Sequence, residues 1–274
     1  MFKPRTLSML IAATALAGCQ AVNTTSGGAV GVDRKQYMFS MLSTDQVNQM
    51  YAQSYQETLS AAASKGVLEK NTAIAKRVNG IAERLIAKVG VFRPDAAQWA
   101  WEVNVIDSPE LNANCGPGGK IIFYTGLIEK LKLTDDEIAA VMGHEIAHAL
   151  LRHGAQRMAQ QRLSQVGQMA GAMSGMDPQQ QQMVMAAMGY GYLLPYARKH
   201  ETEADEVGLM LAAAACFDPR EAVPLWERMG EASGRQAQPE FSSTHPNPGT
   251  RIQNLQAMMP RALEYRERFC EQPM

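Results

Sequence analysis

His144-Glu145-Ile146-Ala147-His148 is the stretch on which the reading of this chain turns. At about 100° of rotation per residue, helical residues four apart sit on adjoining turns of one face, and Glu145 falls beside the two histidines in angle. Imidazoles so placed can share one divalent cation, while a carboxylate too far round to ligate faces the same space. The flanks supply the helix this geometry needs. Thr134 with Glu137 is a capping box, Asp135 and Asp136 suit the positive end of the helix dipole, and Gly154 after Arg152 and His153 marks a stop. The pattern predicts a helix over about 134–153. Burying two histidines and a glutamate among Ile138, Val141 and Met142 without a cation would strand polar groups, which weighs against a purely structural role.

A catalytic tetrahedral zinc takes three protein ligands and leaves a position for water, so a third ligand has to come from elsewhere in the chain. Arg198-Lys199-His200-Glu201-Thr202-Glu203-Ala204-Asp205 offers it. On a helix, Glu201 and Asp205 point the same way, so one can bind metal while the other accepts a hydrogen bond from a ligand imidazole. We assign Glu201 to the metal and Asp205 to orienting a ligand. His200 and Glu203 stand as rival ligands, although Glu203 lies at the wrong angle to share a face with Asp205. Carboxylates at this spacing are also ordinary on solvated helix faces, and it is the histidine motif that tips the weighting.

In their order along the chain these pieces resemble the HtpX-like zinc metallopeptidases of the glutamate-zincin type, and within them bacterial envelope lipoproteins of the LoiP and BepA type. The resemblance rests on His144-Glu145-x-x-His148 and Arg198-x-x-Glu201-x-x-Ala204-Asp205, preceded by Asn112-Ala113 and Pro117-Gly118-Gly119. Thr244-His245-Pro246 with Arg251-Ile252 follows them, and the pieces together span about 103–252. It implies one zinc ion per chain bound by His144, His148 and Glu201, with Glu145 as catalytic base and Asp205 orienting a ligand. It also implies that His245 lies near the metal, as a removable fourth ligand or as a transition-state contact. The implied fold is α+β and mainly helical, a zincin-like metallopeptidase with a small β-sheet beside the HExxH helix. The implied activity is hydrolysis of peptide bonds in unfolded or misassembled envelope proteins.

In such a site zinc lowers the pKa of its water to about 7 and Glu145 can take the proton. His245 and Arg251 are both open as second donors to the oxyanion. The alternative function is a chaperone-like or assembly lipoprotein whose zinc is structural or self-inhibited. Glu145 favours the enzyme, because a structural site gains nothing from a carboxylate held beside an open coordination position.

Ahead of the histidine helix, Lys120–Gly126 is a β-prone run after a Pro-Gly-Gly turn, and Trp101–Ile106 alternates like its partner, so the two are expected to pair. In related zincins an edge strand beside the metal holds extended substrate through its backbone, and Asn112, Ala113, Asn114 and Cys115 are expected to line that edge. An ordinary structural hairpin is the competing reading. Elsewhere, Ser43 with Gln46 opens a helix to about Ser64, and Ile74, Val78, Ile81, Leu85 and Val89 form a core-facing stripe. Seven methionines and a four-glutamine run fall between Gly154 and Tyr196, broken by Gly171, Gly175 and Pro178. That stretch predicts two helices joined by a hairpin, for a lid, a grip on unfolded substrate, a membrane contact or plain core packing. Asp218-Pro219 starts a further helix that Pro224 should kink or shorten.

Lys3 and Arg5 precede an apolar run from about Leu7 to Ala17, too short to span a membrane, which ends in Leu16-Ala17-Gly18-Cys19. This resembles a bacterial lipoprotein signal, with 1–18 removed, Cys19 lipidated, 19–40 a linker and 41–274 a single metallopeptidase domain. Gln20 resembles the pattern sent to the outer membrane, so an anchor there facing the periplasm is expected, with membrane contact through the lipid. In an oxidising compartment Cys216 and Cys270 are the expected disulfide and Cys115 is left over. A net charge of -1, with no Lys/Arg cluster beyond short pairs, argues against a nucleic-acid partner. No repeat period implies an attached solenoid.

Overall fold

The computed structural model describes residues 19–23, 35–39, 44–189, 194–235, 245 and 250–270. The leader over 1–18, the Ser43 cap, and Thr244 and Pro246 of the downstream motif lie outside them. Two short strands, β1 (Cys19–Asn23) and β2 (Lys35–Phe39), pair antiparallel ahead of the long helix α1 (Thr44–Ser64). After β3 (Leu68–Glu69), helix α2 (Ala73–Ile86) begins where the Thr72 hydroxyl accepts from the Ala75 amide. It turns Val78, Ile81 and Leu85 into the core at helical spacing.

Strands β4 (Glu102–Ile106), β5 (Ala113–Gly116) and β6 (Lys120–Tyr124) complete a sheet of order β3-β4-β6-β5. The runs expected to pair are neighbours, yet they lie parallel, and β5 is threaded between them in sequence and returns antiparallel to β6. That return uses Gly118 and Gly119 at φ 75° and 83°, a region that only glycine enters without strain. The outcome puts Ala113 to Cys115, with Asn112 just before them, on a sheet edge, and Ile121, Ile122 and Phe123 are buried in the inner strand β6.

Helix α3 (Thr125–Leu131) leads into α4 (Asp135–Leu150), which carries the histidine motif. Both bonds of the Thr134/Glu137 capping box form, and every residue from Glu137 to Leu150 is buried. α4 stops earlier than Gly154 led us to expect. Leu151 caps it, Arg152 turns the chain at φ 60°, and His153 opens α5 (His153–Met173) with Gly154 inside that helix. An arginine holds a conformation that glycine normally takes, so residue type alone pointed past the true end.

Asp177 caps α6 (Pro178–Met188), completing the expected pair of helices. Met169, Met173 and Met183 on this pair are exposed, so core packing does not explain them. The last three helices are α7 (Leu194–Ala214), α8 (Ala222–Arg235) and α9 (Arg251–Phe269). Asp218 caps a short 3-10 turn before α8, and Pro224 falls within the first turn of α8, where its missing N–H has no helical partner to lose. It therefore neither kinks nor shortens the helix. A disulfide joins Cys216 to Cys270, tying the end of α7 to the end of α9, and Cys115 is buried and free.

The crossing of α4 over α7 positions everything that follows. A Cβ on Gly208 would lie 2.6 Å from the His144 nitrogen and 2.7 Å from its Cα, and one on Gly143 would lie 2.8 Å from the Gly208 carbonyl oxygen. The two backbones touch, which is how His144 meets residues some sixty positions later in the chain. Gly208→Ala must push the helices apart or bend one, at a cost of about 1–3 kcal/mol. For a domain of this size that is a fall in Tm of roughly 2–12 °C. Scanning calorimetry is expected to show that fall together with faster zinc loss to a chelator.

Candidate metal centre

α4 presents His144 and His148, α7 presents Glu201 and Asp205, and His245 enters from the segment before α9. The Nε2 atoms of His144 and His148 are 3.1 Å apart. Glu201 places Oε2 3.3 Å from His144 Nε2 and Oε1 3.4 Å from His148 Nε2. His245 Nδ1 is 3.4 Å from His144 Nε2 and 3.1 Å from Glu201 Oε2. All four side chains are buried.

These distances test whether a metal fits. Tetrahedral bonds of about 2.0–2.1 Å set neighbouring donors roughly 3.3–3.4 Å apart, and the donors here lie 3.1–3.4 Å from one another. Hydrogen bonding alone cannot satisfy the group. His144 Nδ1 is 2.9 Å from Asp205 Oδ1, so its proton belongs there and its Nε2 lone pair faces the cluster. The Nε2 of His148 faces the same point. Lone pairs converging on one spot call for a cation, and imidazole nitrogens with a carboxylate are a ligand set that zinc takes.

The electrostatics of the metal-free centre agree. Burial depresses His144, but hydrogen bonds with Asp205 and Glu201 outweigh it and lift this imidazole to about 9. Burial drives His148 well below the usual histidine range, and its bond to Glu201 only partly opposes that. Burial also disfavours the Glu201 anion, yet three histidine partners hold its carboxyl far below the ordinary range. The metal-free centre thus favours positive charge at His144 and negative charge at Glu201.

Glu145 faces a different way. Burial pushes its carboxyl up, His245 and His144 pull it back, and its Oε1 makes no hydrogen bond among the described residues. It lines a cavity of about 560 Å³ together with His148, His245 and Asn112 to Cys115. An anion made costly by burial at a cavity wall, with Oε1 held only by a 3.4 Å contact to His245 Nε2, has the properties of a general base. Tyr51 of α1 also lines this cavity, donating to Asn114 Oδ1 at 2.9 Å and lying so close over Gly116 that a Cβ there would fall 1.8 Å from its ring. Nothing in the sequence marked Tyr51, since one aromatic in an amphipathic helix reads as core.

Arg251 occupies another place than a donor to an oxyanion would need. Its Nη2 is 2.5 Å from Asp205 Oδ1 and 3.2 Å from His144 Nδ1, and its guanidinium lies 3.4 Å over the Trp226 ring. Buried on the Nδ1 side of His144 and absent from the cavity wall, it props Asp205. The rival ligands His200 and Glu203 fall outside the cluster, grouped around His153. His153 escaped the sequence reading for a geometric reason. Five residues on from His148 it would stand about 140° away on a continuous helix, and only the break at Arg152 brings it back.

Comparison with known proteins agrees with this geometry. The profile of "Peptidase family M48" matches residues 72–259. The chain is 36% identical over 231 residues to the mitochondrial metalloendopeptidase OMA1 of Schizosaccharomyces pombe, covering 84% of this chain and 66% of that protein. It is 35% identical over 192 residues to the mitochondrial metalloendopeptidase OMA1 of Homo sapiens, covering 66% and 36%. The beta-barrel assembly-enhancing protease of Escherichia coli is 25% identical over 189 residues, covering 65% and 37%. The chain thus spans between about a third and two thirds of these relatives' lengths. They correct one expectation. Relatives at 33–38% identity are mitochondrial proteins of eukaryotes and the bacterial one stands at 25%, so the bacterial outer-membrane location facing the periplasm does not hold.

Because His144 in the metal-free protein keeps its proton up to about 9, zinc must displace it. Titration calorimetry in buffers of different ionisation enthalpy is expected to count about one proton released per zinc near neutral pH. Zinc affinity is expected to fall as pH drops from 9, and uptake without proton release would contradict this.

Proposed function

The chain belongs to peptidase family M48, and from that premise we propose that it is a zinc-dependent endopeptidase that cleaves unfolded or misassembled polypeptides. The observation that carries the proposal is Glu145, a buried carboxylate that lines the same cavity as His148 and His245 of the four-donor cluster, its Oε1 3.4 Å from His245 Nε2 and without a hydrogen bond among the described residues. The printed names of the relatives at higher identity, metalloendopeptidases, support it. The narrower likeness to the HtpX-like branch rests on the sequence motifs described above.

His144, His148 and Glu201 would hold the zinc, which when bound lowers the pKa of a water and polarises the peptide carbonyl. The remaining tasks fall to the protein. Glu145 Oε1 receives the proton of the attacking water and passes it to the leaving amine nitrogen. Asp205, fixed by Arg251, keeps the His144 proton on Nδ1 so that Nε2 remains a donor. Asn112 to Cys115 on the β5 edge offer backbone groups to an extended peptide, so recognition reads conformation more than sequence. The sequence 1–18 as a leader, lipid on Cys19 and 41–274 as the catalytic unit complete the proposal, resting on the leader motif alone. Intact mass of the purified protein tests the first two.

A second reading, self-inhibition, is favoured by one observation. His245 Nδ1 lies among the donors, where a catalytic zinc site keeps a position for water. Cleavage then requires His245 to withdraw.

Glu145→Gln is expected to keep its zinc and lose about 100- to 10,000-fold in casein cleavage. Undiminished cleavage by that variant would remove Glu145 from the role of base. His245→Ala is expected to retain zinc and cleave unfolded casein faster than the parent. A loss of activity would instead make His245 a transition-state contact.

A further inference from the structure

We propose that His153 and Glu203 are positioning residues for the metal ligand His148, a relay in which the Glu203 carboxylate acts on His148 through the intervening His153 ring. This rests on the reading of His148 as a ligand and goes beyond it, since neither residue is among the four donors.

The geometry is unambiguous about the proton order. His148 turns Nε2 to the cluster and places Nδ1 2.9 Å from Nδ1 of His153. The other nitrogen of His153, Nε2, lies 3.1 Å from Glu203 Oε2. For His148 to ligate through Nε2 its proton must sit on Nδ1, and it then donates to the His153 Nδ1 lone pair. That leaves the His153 proton on Nε2, where the Glu203 carboxylate accepts it. Reversing either ring would put a proton into the metal position or leave a proton aimed at a proton. Only one neutral arrangement of both rings is compatible with ligation.

Two further features hold the relay in place. His200 stacks on the His153 ring with centroids 4.1 Å apart and planes 11° from parallel, which blocks rotation of that ring. His153 and Glu203 are 0% and 1% exposed as side chains, so bulk water cannot stand in for either bond. The two metal-binding histidines are thus oriented by different means. His144 bonds a carboxylate directly, Asp205, itself braced by Arg251. On its Nδ1 side His148 reaches a carboxylate only at one remove. A hydrogen-bonded partner on the non-ligating nitrogen fixes ring orientation and raises ligand basicity, and losing such a partner weakens metal binding by about 10- to 100-fold.

The test is zinc affinity of the full chain, by competition with a chromogenic chelator, for the parent, Glu203→Gln, His153→Phe and the double variant. Phe keeps the ring that stacks on His200 and removes both bonds. Each single variant is expected to bind zinc about 10- to 100-fold more weakly. Because the residues act in series, the double variant should be no weaker than the worse single one. Single variants that bind zinc like the parent, or losses that add, would overturn the relay. Proton-detected nitrogen NMR of the unmodified zinc-loaded protein reads it without mutation: His148 protonated on Nδ1 and His153 on Nε2 is expected, and any other tautomer pair overturns it. A parent chain that binds no zinc at all would instead sink the proposed function and is distinguishable from either result.

Discussion

The contact between the backbones of α4 and α7 at Gly143 and Gly208 is the constraint from which the rest follows. Side chains of ordinary size at that crossing would hold the helix axes at about 8–10 Å and keep the carboxylates of α7 away from the imidazoles of α4. With the side chains reduced to hydrogen, Glu201 and Asp205 reach opposite nitrogens of the same His144 ring. The surrounding packing fixes this crossing. Ile138, Val141, Met142 and Ile146 of α4 are completely buried, as are Met210, Leu211 and Ala213 of α7. The Cys216–Cys270 disulfide closes a loop of 54 residues between the ends of α7 and α9. On the chain-entropy account a loop of that length contributes about 4 kcal/mol. It thereby also fixes α9, whose first residue is the Arg251 that braces Asp205.

Bringing so many ionisable groups into a dry interior is unfavourable unless each has a partner, and the partners form a graded series. Arg251 neutralises Asp205, Asp205 and Glu201 bear on His144, and Glu203 reaches His148 through His153. Glu145 is left out of this series. Among the described residues its carboxylate meets His245 Nε2 at 3.4 Å without a hydrogen bond, and burial disfavours its charge. Desolvation that partners offset at Asp205 and Glu201 is retained at Glu145, the group proposed above to accept a proton.

The sequence made the chemistry legible and left the geometry around it largely unreadable. Residues of α4 and α7 announce themselves because the four-residue spacing of His144/His148 and of Glu201/Asp205 is a local property of a helix. The Thr134 cap was legible for the same reason, as capping chemistry acts over a few residues, whereas the Asn112–Cys115 edge was expected from the likeness to related zincins. Three features depended on distant packing and stayed hidden. The order β3-β4-β6-β5 could not be separated from a hairpin by periodicity, because alternation does not say which strand lies next to which. Arg152 in a left-handed turn ends α4 against the preference of its residue type, and His153 joins the centre only through that turn. Arg251 looked like a donor to substrate because its distance from the motif said nothing about which side of His144 it would occupy.

Access to the centre is shaped by elements that contribute nothing to the donor cluster. The β5 edge forms one wall of the cavity, and α1 lies across that wall with Tyr51 seated over Gly116. A peptide strand pairing with β5, as proposed above, shares this edge with the Tyr51 ring. Opposite it, Arg152, Arg157 and Met158 line the cavity where α4 passes into α5. That helix begins at His153 beside His148 of the four-donor cluster and runs out to the exposed methionines Met169 and Met173. A single helix therefore connects apolar, deformable side chains at the surface to the partner of a metal-binding imidazole. Met side chains accommodate many apolar shapes at little cost, so they suit polypeptides that expose unburied hydrophobic residues. On the function proposed above, an edge for extended backbone next to a tolerant apolar surface selects by foldedness rather than by substrate sequence.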